Sequence, residues 1–156
     1  MSVLAAIRPD SVNLPLFLHV LGAMLLVGAL FAVGLATVLG RLRPEHAPGL
    51  SRFALRTLLY GVLPAYVLMR VGAEWTEAEQ NYPDDYEAAW IDIGYITADA
   101  GALLVLISIV LSVVGLRKLR DGGDGGVRFG RIVGVISLLL LAAYLVAAWA
   151  MTAKPM

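Results

Sequence analysis

Two long stretches of the chain contain no charged side chain. Residues 11–40 read SVNLPLFLHVLGAMLLVGALFAVGLATVLG, and residues 132–153 read IVGVISLLLLAAYLVAAWAMTA. A helix of about 20 residues crosses a hydrocarbon core about 30 Å thick, so each stretch is long enough to span a bilayer. Each stretch therefore predicts a membrane-spanning helix.

Two further apolar stretches are each interrupted by a single charge. Residues 57–73 contain only Arg70, and residues 93–116 contain only Asp99. Lipid offers the backbone no hydrogen-bond partner, so helices are the expected spanning structure. We predict an all-α fold, an integral membrane four-helix antiparallel bundle that forms a single domain over residues 1–156. Its helices are expected at about 13–40, 52–75, 89–118 and 129–152.

The composition excludes several classes of function. The chain is 60% hydrophobic and 15% charged, whereas soluble domains are about 45–50% apolar and about 25% charged. Its 12 basic and 12 acidic residues cancel, and no basic patch adjoins a stacking surface, so nucleic acid is not an expected partner. The absence of cysteine from the sequence excludes disulfides and thiol chemistry. With only His19 and His46, one chain cannot supply a multi-histidine metal site, and the residues predict no metal.

The basic residues predict the orientation. Nine of the twelve lie in or beside the two connections that join the first helix to the second and the third to the fourth. They are Arg41, Arg43, Arg52, Arg56, Arg117, Lys118, Arg120, Arg128 and Arg131. The positive-inside rule therefore places both termini outside the cell. Arginine outnumbers lysine ten to two, a bias typical of a GC-rich bacterial genome, so the inner (plasma) membrane of a bacterium is the expected location.

A stripe of small residues follows the first helix at every fourth position: Gly28, Ala32, Ala36 and Gly40. Such stripes let another helix approach closely. The partner is either another helix of the same bundle or a second copy of the chain in a homodimer.

Two local irregularities are expected. Pro64 lies within the second helix, where it removes one backbone hydrogen bond and frees the carbonyl of Tyr60, so we predict a kink. The segment DGGDGG at residues 121–126 is predicted to be a flexible linker.

His19, Arg70 and Asp99 are the ionisable residues inside the apolar stretches. Counted at 1.5 Å per residue from the basic ends of their helices, they lie about 33, 21 and 27 Å away, near the outer surface. An unpaired charge at membrane depth costs about 2.5–3.5 kcal/mol. We therefore predict that Arg70 pairs with Asp99 across an antiparallel hairpin of the second and third helices, with His19 completing the cluster. The alternative is that Arg70 extends to the surface and pairs with Glu74, one turn later.

The run Leu18-His19-Val20-Leu21-Gly22-Ala23, followed by Val27-Gly28, resembles the first helix of small bacterial four-helix membrane proteins related to the copper-resistance CopD-like family. The resemblance covers this helix and the four-span plan. It implies a b-type haem or copper, with His19 as a ligand. Because no second histidine lies in a span, a haem would need Met24 or Met69, a second protomer, or an open axial position.

Three functions are compatible with this pattern. The first is a non-enzymatic accessory or structural subunit without a cofactor, whose partners are the lipid bilayer and other membrane subunits or a second copy. The second is a haem- or copper-associated redox protein that uses His19. The third is a small proton- or solute-coupled carrier that acts as an oligomer through His19, Arg70 and Asp99. No nucleophile motif is present, so no catalytic residue is predicted.

Overall fold

A computed structural model describes residues 10–80, 89–121 and 125–153. Over these residues the chain forms five α-helices and two short helical turns. They are α1 (Asp10–Leu42), a 3-10 turn (Pro44–His46), α2 (Ala47–Thr57), a π-helical turn (Leu58–Val62), α3 (Leu63–Gln80), α4 (Ala89–Arg120) and α5 (Gly125–Ala153). Half of the predicted linker, residues 122–124, lies outside the described residues, and Gly125 and Gly126, predicted as linker, instead begin α5.

Four helical segments are long and apolar enough to span a membrane, as predicted. They are Asp10–Leu42, Pro44–Gln80, Ala89–Arg120 and Gly126–Ala153. The second span combines α2, the π-helical turn and α3, and it extends well beyond the predicted 52–75. The predicted helix ends were placed at charged residues. Because a long charged side chain reaches water while its backbone stays helical, the helices continue past those residues.

The first helix, α1, lies at the centre of the packing. It packs against α2 and α3 on one side and against α5 on another, while α5 also packs against α4. The core contains Leu26, Leu30 and Val33 of α1, all fully buried. Helices α3 and α4 are adjacent in the chain but touch at few points among the described residues. The expected hairpin of the second and third helices forms mainly through α2 and the π-helical turn, which contact α4, whereas α3 packs on α1 instead.

Two glycines allow the backbones of α1 and α3 to meet. A Cβ atom on Gly22 of α1 would overlap the backbone of Met69, and one on Gly72 of α3 would overlap the backbone of His19. Both glycines are buried. The two contacts are reciprocal. Gly22 faces Met69, three positions before Gly72, and Gly72 faces His19, three positions before Gly22. Small residues permit this close approach between membrane helices.

A second small-residue stripe joins α4 to α5. Gly94, Gly101, Ser108 and Gly115 recur at every seventh position, which keeps them on one face of a helix that supercoils left-handedly around its neighbour. A Cβ atom on Gly101 would overlap the hydroxyl of Tyr144, and one on Gly115 would lie 2.9 Å from the Cβ of Phe129. The antiparallel register set by these two contacts brings Ser108 opposite Ser137 of α5.

The predicted stripe on α1 does not face a single neighbour. Ala36 is buried, and Gly40 lies against Ala47 and Leu50 of α2. Gly28 is exposed, and a Cβ atom there would meet nothing within 4 Å. A four-residue repeat drifts around a helix of 3.6 residues per turn, so the two ends of the stripe point in different directions.

Pro64 directly follows the π-helical turn. The backbone N–H of Leu63 donates to the carbonyl of Leu58, five residues earlier, and Pro64 lies in the first turn of α3. A wider turn of this kind accommodates the proline ring without breaking the helix. The irregularity predicted at Pro64 thus coincides with a change in helical hydrogen bonding, while the kink angle stays a prediction.

The two ends of the bundle differ in charge. We call the end that carries Arg41, Arg56, Arg117 and Arg131 the basic end. We call the opposite end, which carries Glu74, Glu77, Glu79 and Asp92, the acidic end. Both limits of the described chain, Asp10 and Ala153, lie at the acidic end, as an even number of antiparallel helices requires.

Substitution Gly22→Ala should destabilise the protein by about 1–3 kcal/mol, because the added methyl group forces the α1 and α3 backbones apart. Gly28→Ala on the same helix is the matched control, since its methyl group enters open space. Unfolding of the purified protein in detergent measures both. Equal stability of the two variants would contradict the tight crossing.

Candidate functional site

Arg70 forms the centre of a charge cluster at the acidic end. It lies on α3 two residues before Gly72, at the crossing with α1. Its Nη2 atom lies 3.0 Å from Oε1 of Glu74 and 3.3 Å from Oδ1 of Asp99 on α4. The pair with Asp99 predicted from the sequence and the alternative pair with Glu74 are therefore both present. One guanidinium has enough donors to bind both carboxylates.

Tyr95 of α4 extends the cluster. Its ring lies under the Arg70 guanidinium, with Cζ of Arg70 4.4 Å from the ring centroid, a distance at which a cation and an aromatic ring attract each other. The Tyr95 hydroxyl donates a hydrogen bond to Glu77 of α3. Two separate contacts, one ionic and one through Tyr95, therefore tie α3 to α4 where the helices otherwise scarcely touch.

The cluster carries more negative than positive charge. Glu74 and Asp99 share one guanidinium, and Glu77 adds a third carboxylate through Tyr95. The side chain of Arg70 is 27% exposed, whereas that of Asp99 is 68% exposed. The cluster therefore lies at the surface of the bundle, and Arg70 is more enclosed than its two ion-pair partners.

His19 stands beside this cluster and bonds to a different partner. Its Nδ1 atom lies 2.9 Å from the backbone carbonyl of Met69. A carbonyl can only accept, so Nδ1 carries the proton and Nε2 is the acceptor of the neutral ring. Among the described residues, no hydrogen bond or ion pair joins His19 to Arg70 or Asp99. Gly72 creates this arrangement by letting the α3 backbone approach His19.

Three hydroxyl groups are buried between the helices. Those of Ser108, Ser137 and Tyr144 have no hydrogen-bond partner among the described residues. Ser108 and Ser137 face each other by register, and Tyr144 lies against Gly101. The sequence patterns predict no role for Glu77, Gly72 or Tyr144, and they do not predict the close contact made at Gly22. The seven-residue recurrence of small residues on α4 is the sequence signal that points to the surface on which Tyr144 packs.

His19, Met24 and Met69 are the residues that the sequence offers as haem ligands. His19 supplies one ring nitrogen, and Met69 already offers its carbonyl to the same ring. Met24 is 69% exposed on the bundle surface. In the part of the chain that the structure describes, no group of three or more His, Cys, Asp or Glu side chains is placed to hold a metal ion.

Two small cavities lie at the basic end, far from the charge cluster. Their volumes are about 30 and 20 Å³, which is space for one or two water molecules. Arg41, Ser51 and Arg131 line the larger one, and Ser112 lines the smaller. Neither Arg70 nor Asp99 contributes to these cavities.

Comparison of the chain with known protein families, curated proteins and solved structures gives no match. The resemblance of the first helix to the CopD-like group therefore stays a prediction. The function has to be argued from the geometry.

A double-mutant cycle tests the pair between α3 and α4. Asp99→Asn alone should destabilise the bundle, and it should cost less when Arg70→Gln is already present, because the contact between Arg70 and Asp99 is then lost only once. The expected coupling is about 1 kcal/mol, in the range of polar contacts between membrane helices.

A second cycle with Glu74→Gln and Arg70→Gln is the matched control. Its coupling energy reports only the pair within α3, not a contact between helices. Unfolding in detergent measures both cycles. Additive losses for Asp99 and Arg70 would show that the contact contributes no stability.

Proposed function

We propose that this protein is a non-enzymatic subunit of a membrane assembly, a four-span structural or accessory component. The observation that supports this most strongly is the use of Arg70. It ties α3 to α4 through Asp99 and Tyr95 at the bundle surface, so the main intramembrane cation serves the packing of helices. A carrier needs such groups along a pathway, whereas the two cavities described above lie at the basic end, away from the cluster.

The exposed surface also supports an assembly. Gly28 is an exposed small residue on α1, and Met24, Leu25 and Phe31 around it are large and exposed. A small residue between large ones forms a shallow groove that a helix of another subunit or of a second copy can enter.

We further propose that both termini lie outside the cell and that the basic end faces the cytoplasm of a bacterium. The nine basic residues near that end support this orientation through the positive-inside rule. At the acidic end, Trp75 is 41% and Trp149 is 64% exposed, which suits side chains at the level of the lipid headgroups.

Single-cysteine labelling tests the orientation, because the natural sequence contains no cysteine. A membrane-impermeant maleimide should label Thr152→Cys in intact cells and should label Asp121→Cys only after the cells are opened. Both positions are exposed at opposite ends of the bundle. The reverse pattern would invert the proposed orientation.

Extraction with a mild detergent tests the assembly. The chain should migrate as a complex larger than one 16.6 kDa chain with its detergent, and Gly28→Leu should shift it to the smaller species without changing its unfolding. Ala142→Leu, at an exposed position of α5, is the matched control. A chain that is monomeric in native membranes and in mild detergent would contradict a subunit role.

The redox alternative has one observation in its favour. A histidine that binds a metal typically donates its other ring N–H to a carbonyl or carboxylate, and His19 makes such a bond to Met69. Its Nε2 atom is therefore oriented as a ligand would be. A second ligand would come from Met24, Met69 or another protomer, or the second axial position would stay open.

An absorption spectrum of the purified protein, beside its His19→Ala variant, distinguishes the two functions. For a structural subunit we expect no Soret band from cells grown with ample haem. A Soret band that His19→Ala abolishes would replace the structural proposal with the redox one.

A further inference from the structure

The larger cavity at the basic end opens among four helices. It is lined by Thr37 and Arg41 of α1, Ser51 of α2, and Gly130 and Arg131 of α5, with Leu119 of α4 closing one side. The smaller cavity shares Thr37, Ser51 and Gly130 with it. The two are therefore neighbouring parts of one indentation where the ends of the helices converge.

The wall of this indentation offers hydrogen-bond donors without a counter-charge. Arg41 and Arg131 are exposed, and neither forms an ion pair within the described part of the chain. The Ser51 hydroxyl likewise has no described partner, whereas the Thr37 hydroxyl donates to the carbonyl of Gly34 at 2.7 Å. No acidic residue is among the described residues that line either cavity.

Glycines keep the indentation open. A Cβ atom on Gly130 would meet nothing within 4 Å, so a larger side chain there would project into free space. Gly126, beside it, is packed tightly, since a Cβ atom there would overlap Leu119. The backbone of α5 thus forms part of the wall, at a place where a larger side chain would fill the indentation.

The two arginines lie at the level of the lipid headgroups. Arg41 is the first charged residue after the uncharged residues 11–40, and Arg131 is the last before the uncharged residues 132–153. Both therefore mark the border between the apolar span and water. Lipid phosphates occupy this border, and basic pockets between transmembrane helices bind their anionic headgroups.

We propose that Arg41, Arg131 and Ser51 form a binding site for the phosphate group of an anionic phospholipid. Arginine binds phosphate oxygens through two parallel N–H donors, and the Ser51 hydroxyl adds a third donor. A cavity of about 30 Å³ admits one or two phosphate oxygens but not a whole organic phosphate. The ester substituents stay outside, where the acyl chains enter the bilayer.

This site differs from general attraction between a basic surface and an anionic membrane. General attraction depends on the number of charges, and seven other basic residues lie near the same end. The proposed site depends on two particular arginines and on the open space beside Gly130. The proposal goes beyond the structural role and does not depend on which end faces the cytoplasm.

Binding of fluorescent phosphatidylglycerol to the full-length protein in zwitterionic detergent tests the site. Arg41→Gln combined with Arg131→Gln should weaken binding by about tenfold or more, because each substitution removes a charge-assisted contact with the phosphate oxygens. Arg120→Gln combined with Arg128→Gln is the matched control. It removes the same charge from exposed positions outside the cavities and should weaken binding by less than about threefold. Equal losses would show diffuse attraction and overturn the proposal.

Gly130→Leu fills the cavity and leaves every charge in place. We expect it to weaken binding as the arginine pair does, with an unchanged unfolding midpoint in lipid-free detergent. Undiminished binding by this variant would show that the lipid does not enter the cavity, and would overturn the proposal.

Two further measurements identify the source of the phosphate. Phosphatidylcholine should not displace the probe, because its headgroup has no net charge. Inorganic phosphate at millimolar concentration should not displace it either, since it lacks the acyl chains that hold the lipid at the border. Displacement by inorganic phosphate would replace the lipid with a soluble phosphate and overturn this assignment.

Discussion

The backbone contact between α1 and α3 constrains the rest of the bundle. Gly22 and Gly72 bring the two helices together at the residues His19 and Met69, and this contact draws α3 toward α1 and away from α4. The helix α5 then packs on another side of α1, and α4 packs on α5 through its own small residues. The separation of α3 from α4 at the acidic end is a consequence of these preferences.

The charge cluster compensates for that separation. Arg70, two residues from Gly72, reaches across the space between α3 and α4 to Asp99 and Tyr95. Without it, the apolar surfaces of these two helices would leave that space unfilled. In a low dielectric these contacts give each charged group a partner in place of water. Polar contacts therefore hold α3 and α4 together where packing does not. His19 takes no part, because the close approach that Gly72 permits gives its ring a backbone carbonyl instead.

The two ends of the bundle therefore differ in more than the sign of their charge. At the acidic end Arg70 pairs with Glu74 and Asp99, and Tyr95 bonds to Glu77, so the contacts to Asp99 and Glu77 join α3 to α4. At the basic end the described arginines make no ion pairs, and glycines leave space between them. The first arrangement is suited to holding helices together, and the second is suited to binding an anion from the surroundings.

Hydropathy and charge, read along the chain, were enough to predict the four apolar helices and to limit the partners of Arg70 to Asp99 and Glu74. Both follow from the cost of placing a polar group in lipid, which acts on each residue wherever its neighbours lie. The order of helices around α1, the different environments of Gly28 and Ala36, and the partner of His19 emerged only from packing. The surfaces of α1, α4 and α5 are apolar nearly all round, so hydrophobicity does not choose among their neighbours. Shape complementarity between small and large side chains makes that choice, and it depends on both surfaces together.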